Sequence, residues 1–115
     1  MSQRDIRLWL IDIRDSIENI LAFTEGLDFE RFDRNIVVKH AVLHNFAIIG
    51  EAVSKLPDLV KENHPEIPWR EIKGFRNYVI HEYFGLDAGI IWQIIQTDLA
   101  ALKDGISQIL VSANK

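Results

Sequence analysis

The stretch RNIVVKHAVLHNFAIIGEAVSKLP, residues 34–57, decides the fold. Val38, Val42, Ile49, Val53 and Leu56 recur at helical spacing. Nothing stops the helix before Pro57, which lacks an N–H and disfavours helical backbone in the residue ahead of it. The spacing predicts a helix from about Asp33 or Arg34 to Leu56. Ile36, Val37, Leu43, Phe46 and Ile48 spread apolar surface well around the cylinder, and a helix apolar on more than one side must bury more than one side. In a chain this short the second face suits a subunit interface as well as a core, so a homodimer is expected. Gly50, inside the helix, costs roughly 1 kcal/mol relative to Ala, which close packing of another helix would offset.

Working outward, Ser2-x-x-Asp5 reads as a capping-box-like start. Ile6, Trp9, Leu10, Ile13, Ile17, Ile20 and Leu21 follow as one stripe of a first helix, with Gly26 as its terminator. Asp28 can cap a turn of helix in the linker. Beyond Pro57, a short helix at Asp58 to Glu62 leads into the rigid connector His64-Pro65-Glu66-Ile67-Pro68. Pro68 suits the first turn of a helix running from Trp69 to about Tyr83. Gly85 breaks that helix, Asp87 caps the next, and Ile90, Ile91, Ile94, Ile95, Leu99, Leu102, Ile106, Ile109 and Leu110 trace one last helix to near residue 111. Trp9, Trp69 and Trp92 are expected as core anchors. With no strand-like alternation and no repeat, the expected fold is all-α: a single domain over residues 1–115, an antiparallel four-helix-bundle-like arrangement with an additional short helix.

The chain has 115 residues, enough for one core and too few for two ordinary domains. Its 48% hydrophobic and 26% charged residues are those of a globular protein. The absence of cysteine excludes disulfides, zinc-thiolate sites and a cysteine nucleophile. No signal-peptide pattern opens the chain and no run approaches roughly 20 consecutive apolar residues, so a soluble, cytoplasmic protein without membrane association is expected. The net charge of −4 argues against nucleic-acid binding by bulk charge, so any RNA contact must be local. Two short stretches are basic: Arg70, Lys73 and Arg76 against Glu71, and Arg31, Arg34 and Lys39 against Asp33. His40 and His44 stand four apart, a metal-ligand spacing, but no convincing third ligand accompanies them, and no phosphate-cradling glycine loop is present. Neither metal nor cofactor is expected.

The chemistry concentrates in Arg76-Asn77-Tyr78-Val79-Ile80-His81-Glu82-Tyr83. Arg76 offers a permanent cation with forked donors suited to phosphate, and His81 can give and take a proton near neutral pH. Together they suit phosphodiester chemistry without a metal. The bland alternative is a histidine at a helix C-terminus satisfying the macrodipole, an arginine paired with a carboxylate and a tyrosine at the core edge. At about 100° per residue Arg76 and His81 lie about 140° apart on the helix. They can converge through the length of the arginine, through distortion at the helix end, or across a dimer axis, the last being preferred.

The R-x4-H pattern from Arg76 to His81 resembles the signature of HEPN domains, and its extension H-x-Y through Tyr83 resembles the HepT toxins, which are paired with a small nucleotidyltransferase antitoxin. Ile67-Pro68-Trp69-Arg70-Glu71-Ile72, Tyr83-Phe84-Gly85-Leu86-Asp87 and Ile48-Ile49-Gly50-Glu51-Ala52 are similar to that family too, so the likeness spans essentially the whole chain. The resemblance implies a dimeric, metal-independent endoribonuclease whose paired motifs line one cleft. His81 would act as general acid or base and Arg76 would stabilise the phosphorane-like transition state, giving a 2′,3′-cyclic phosphate from an RNA such as tRNA or mRNA. Asn77, Lys73 and Arg70 would support RNA binding. Tyr83 would accept AMP from the partner nucleotidyltransferase, silencing the toxin by steric block and charge. The rival reading is an inactive dimer serving as scaffold or substrate for that partner; a weaker third is a helical interaction domain unconnected with RNA.

Overall fold

A computed structural model describes residues 4–82 and 85–113 of the chain. The described residues form helices joined by short connections, with no strand: α1 Ile6–Thr24, α2 Phe29–Arg34, α3 Ile36–Lys55, α4 Asp58–Asn63, α5 Trp69–His81, α6 Ala88–Thr97 and α7 Leu99–Ala113. The expected all-α class holds.

Local chemistry sets most boundaries. The Asp5 carboxylate accepts from the Arg7 amide and caps α1; Ser2, the other half of the expected capping box, lies outside the described residues. Hydrogen bonds from the Arg7 side chain and backbone hold the Asp5 carboxyl below its usual range. Gly26 ends the turn after α1 with φ of 78°, a left-handed conformation that favours glycine. Asp28 caps α2 through the Arg31 amide and Asn35 caps α3 through the Val38 amide. The long central helix therefore starts two or three residues later than its apolar pattern suggests, because Asn35 is the better cap. Pro68 sits just ahead of α5 rather than in its first turn.

The last helix differs from expectation. It divides at Asp98 into α6 and α7. The single Thr97 hydroxyl proton has two acceptors in reach, the Gln93 carbonyl at 2.8 Å, a back-bond that bends helices, and the Asp98 carboxylate at 3.0 Å. The ladder resumes one turn on, where the Leu102 amide bonds to the Asp98 carbonyl.

α3 is the centre of the molecule, packing on α1 on one side and α5 on the other, while α1 also packs on α7. Leu10, Ile13, Ile17 and Ile20 of α1, Val42, Phe46, Ile49 and Val53 of α3 and Ile106 of α7 form one core, all at most 4% exposed. Buried Asn45 is satisfied within it, donating to the Ala41 carbonyl and accepting from Asn19 of α1 at 3.2 Å, which fixes the register of α1 against α3. By length and composition α3 could cross a bilayer. Its buried residues are those of a core helix, and exposed His40 and His44 interrupt its free face. Leu43 and Phe46, read from the sequence as part of a second interface, are buried within the chain; Ile36 and Val37 remain 66% and 75% exposed. The three tryptophans stand at the core's edge: Trp92 against Phe32 at 5.1 Å, Trp9 under the Arg4 guanidinium at 4.3 Å, and Trp69 donating to the His64 carbonyl at 2.9 Å.

Candidate nucleic-acid interface on α5

α5 carries every site residue the sequence singles out except Tyr83, which lies outside the described residues. The helix is anchored at both ends. Trp69 ties its start to the connector through the bond to His64. Near its finish the Tyr78 hydroxyl accepts from the Asp87 amide at 3.0 Å. Asp87 in turn caps α6 through the Gly89 and Ile90 amides. Asp87, at the start of α6, is thus tied to α5 by Tyr78.

Helical geometry divides α5 into faces. Arg70, Lys73, Asn77 and His81 are all exposed, and at about 100° per residue they fall within an arc of about 80°. They make one stripe along the helix. Val79 and the stem of Arg76 turn inward, and α5 lies against α3. There the notch left by Gly50 receives Arg76: a Cβ at Gly50 would overlap the Arg76 Cβ and Cγ. The close approach expected at this glycine is present, and its occupant is the motif arginine itself.

Arg76 is held by two partners. Nη2 donates to the Glu51 carboxylate at 2.9 Å, and Nη1 to the Asn77 side-chain oxygen at 3.2 Å. Glu51 is also within 3.7 Å of the Lys55 ammonium. The Arg76 side chain retains 26% exposure, while its Nε is buried and makes no hydrogen bond among the described residues. An unsatisfied buried donor costs about 1–3 kcal/mol, so the guanidinium carries unused donor capacity. Glu51, to which the sequence assigns no catalytic role, is the carboxylate that pairs with Arg76. It stands beside Gly50 in the central helix, and its partner is 25 positions away on another helix.

Arg76 and His81 do not meet within the chain. α5 runs as a regular helix to His81, and the Glu82 amide still bonds to the Tyr78 carbonyl at 2.9 Å, so no distortion brings the two together. Arg76 reaches toward α3 instead, and exposed His81 makes no side-chain hydrogen bond among the described residues. Of the second basic stretch, Arg31 and Arg34 are exposed, while Lys39 donates to the Asp33 carbonyl at 3.1 Å and lies 3.3 Å from its carboxylate. Among the described residues no three His, Asp or Glu side chains gather as a metal site.

A family profile described as "Ribonuclease HepT-like" matches residues 13–109. A Thermococcus cleftensis protein named "Probable ribonuclease HepT" is 40% identical over 101 residues, covering 88% of this chain and 92% of its own length. A Methanocaldococcus jannaschii protein named as a "Putative RNase" is 36% identical over 110 residues, covering 96% and 95%. A similarly named protein of Caldanaerobacter subterraneus subsp. tengcongensis is 38% identical over 104 residues, covering 90% and 93%. No solved structure matches the chain.

Proposed function

The chain belongs to the HepT-like ribonuclease family, and from that premise we propose that it is the toxin of a toxin–antitoxin pair: a metal-independent, homodimeric endoribonuclease of the cytoplasm. The observation that carries the reading is the exposed stripe of Arg70, Lys73, Asn77 and His81, bordered by Arg76. It gives an acidic protein a local track for an RNA backbone, with a proton-transfer group at its end.

Because a regular α5 keeps Arg76 and His81 apart, the reacting phosphate is shared between subunits. Exposed Ile36, Val37 and Ile80, the last adjacent to His81, supply apolar surface for such a dimer, built on a four-helix-bundle-like protomer. His81 takes the proton from the ribose 2′-hydroxyl or returns one to the leaving 5′-oxygen. Arg76 neutralises charge on the phosphorane-like transition state, and the product is a 2′,3′-cyclic phosphate. Tyr83, two residues beyond His81, is the acceptor through which a nucleotidyltransferase antitoxin adds AMP and blocks the cleft.

The test is cleavage of tRNA and mRNA by purified protein, alone and after incubation with its cognate nucleotidyltransferase and ATP. His81→Ala should lower cleavage about 10²- to 10⁴-fold and leave the melting temperature unchanged, since His81 is exposed. An AMP-sized mass on Tyr83 should abolish cleavage. Equal cleavage by wild type and His81→Ala would overturn the assignment. One observation favours the rival reading of an inactive scaffold: Glu51 already neutralises Arg76. A wild-type protein that accepts AMP but never cleaves RNA would decide for it.

A further inference from the structure

A groove of about 680 Å³ opens between α5 and the kinked pair α6–α7, on the acidic side of α5. Ile49 of α3 forms its floor, with Ile72 and Phe75 on one wall and Ile94 and Leu102 on the other. It exists because α5 packs chiefly on α3, whereas α7 packs on α1. Along α7 the lining runs from Leu99 to Gln108, about 14 Å at the helical rise per residue. That is the length of a helix of two to three turns, and the volume falls in the range of ligand-binding clefts.

Its charge says what kind of partner fits. Glu66, Glu71, Asp98 and Asp104 stand around the groove, and its lining contains no lysine or arginine. Glu66 lies 3.5 Å from His64, and Asp98 lies 3.0 Å from the Thr97 hydroxyl. Exposed Glu71 and Asp104, from α5 and α7, have no ion pair among the described residues. An RNA would be repelled here, and Ile36, Val37 and Ile80, the apolar residues assigned to the dimer, do not line the groove. We propose that the groove docks an amphipathic helix of a partner protein, its apolar stripe seated between α5 and α7 and its flanking lysines or arginines facing Glu71 and Asp104. Apolar anchors at helical spacing would supply affinity and the carboxylates the choice of partner.

Two synthetic fluorescent peptides test it by anisotropy: an amphipathic helix of leucines at i, i+3, i+4 and i+7 flanked by lysines, and its twin flanked by glutamates. The wild-type chain should bind the lysine peptide at least about tenfold more tightly, a margin of about 1.4 kcal/mol. Glu71→Lys with Asp104→Lys should invert the preference, and Leu102→Gln should weaken both peptides. An equal charge change outside the groove, Glu25→Lys with Glu62→Lys, should leave the order intact. If that control inverts the preference equally, the attraction is to net charge and the groove has no role. If Leu102→Gln instead turns an oligomeric wild type into monomers in sedimentation velocity, the occupant is a second copy and the proposal fails. Melting temperatures of all variants establish that each is folded.

Discussion

Gly50 and Arg76 are a matched pair, and substitutions there reverse the usual expectation for a helix. Gly50→Ala removes a helix-breaking residue, worth a gain of roughly 1 kcal/mol in an exposed helix. Here the added methyl overlaps the Arg76 stem, and overpacking of this kind costs about 1–3 kcal/mol. Chemical denaturation should therefore show Gly50→Ala less stable than wild type, with cleavage reduced because Arg76 is displaced. Glu51→Gln tests the other contact. The ion pair is partly exposed, so the stability change should stay within about 1 kcal/mol. If Glu51 orients Arg76 for the transition state, steady-state kinetics should show kcat falling more than KM changes; a rise in kcat would mean that the pair restrains the enzyme. The motif was legible in the sequence because Arg76, His81 and Tyr83 are close along one segment. Glu51 was not, since a pairing between helices leaves no periodic trace in a single chain.

At the scale of the element, caps and breakers carried the information. Pro57, Gly26, Asp28 and Asp87 mark ends that the structure places within a residue or two, because each acts on its own immediate backbone. The break at Asp98 leaves no such mark: the isoleucine and leucine stripe continues straight through it, while a threonine hydroxyl bonds back to Gln93. Tyr78 is the element-level device closest to the chemistry. Tyr78→Phe removes the acceptor for the Asp87 amide at a net cost of about 0.5–1.5 kcal/mol. Hydrogen exchange should show faster exchange at Asp87 than in wild type, with α1 and α3 unaffected. Protection unchanged at Asp87 would show that another group holds the turn.

For the whole molecule the decisive quantity is which apolar surface stays outside. Composition and the breadth of the α3 stripe suggested an excess, but only the packed chain separates Leu43 and Phe46, which are inside, from Ile36 and Val37, which are not. Val37→Asp places a charge on the proposed dimer face without touching the core. Sedimentation velocity should report a monomer, and cleavage should fall even though Arg76 and His81 are intact. A dimeric, active Val37→Asp would move the interface elsewhere. The groove beside α5 was invisible to sequence reading because each of its walls reads as an ordinary core stripe.

The packing of α1 against both α3 and α7 also sets a timetable. During synthesis α1, α3 and α5 leave the ribosome before α7 does, so the motif-bearing helix is available before the wall that completes the core around α1. For that interval Arg76 and His81 stand on a scaffold whose core is still open on the α7 side. A translation pause within α7 would therefore prolong the interval in which α1 lacks the wall that α7 supplies.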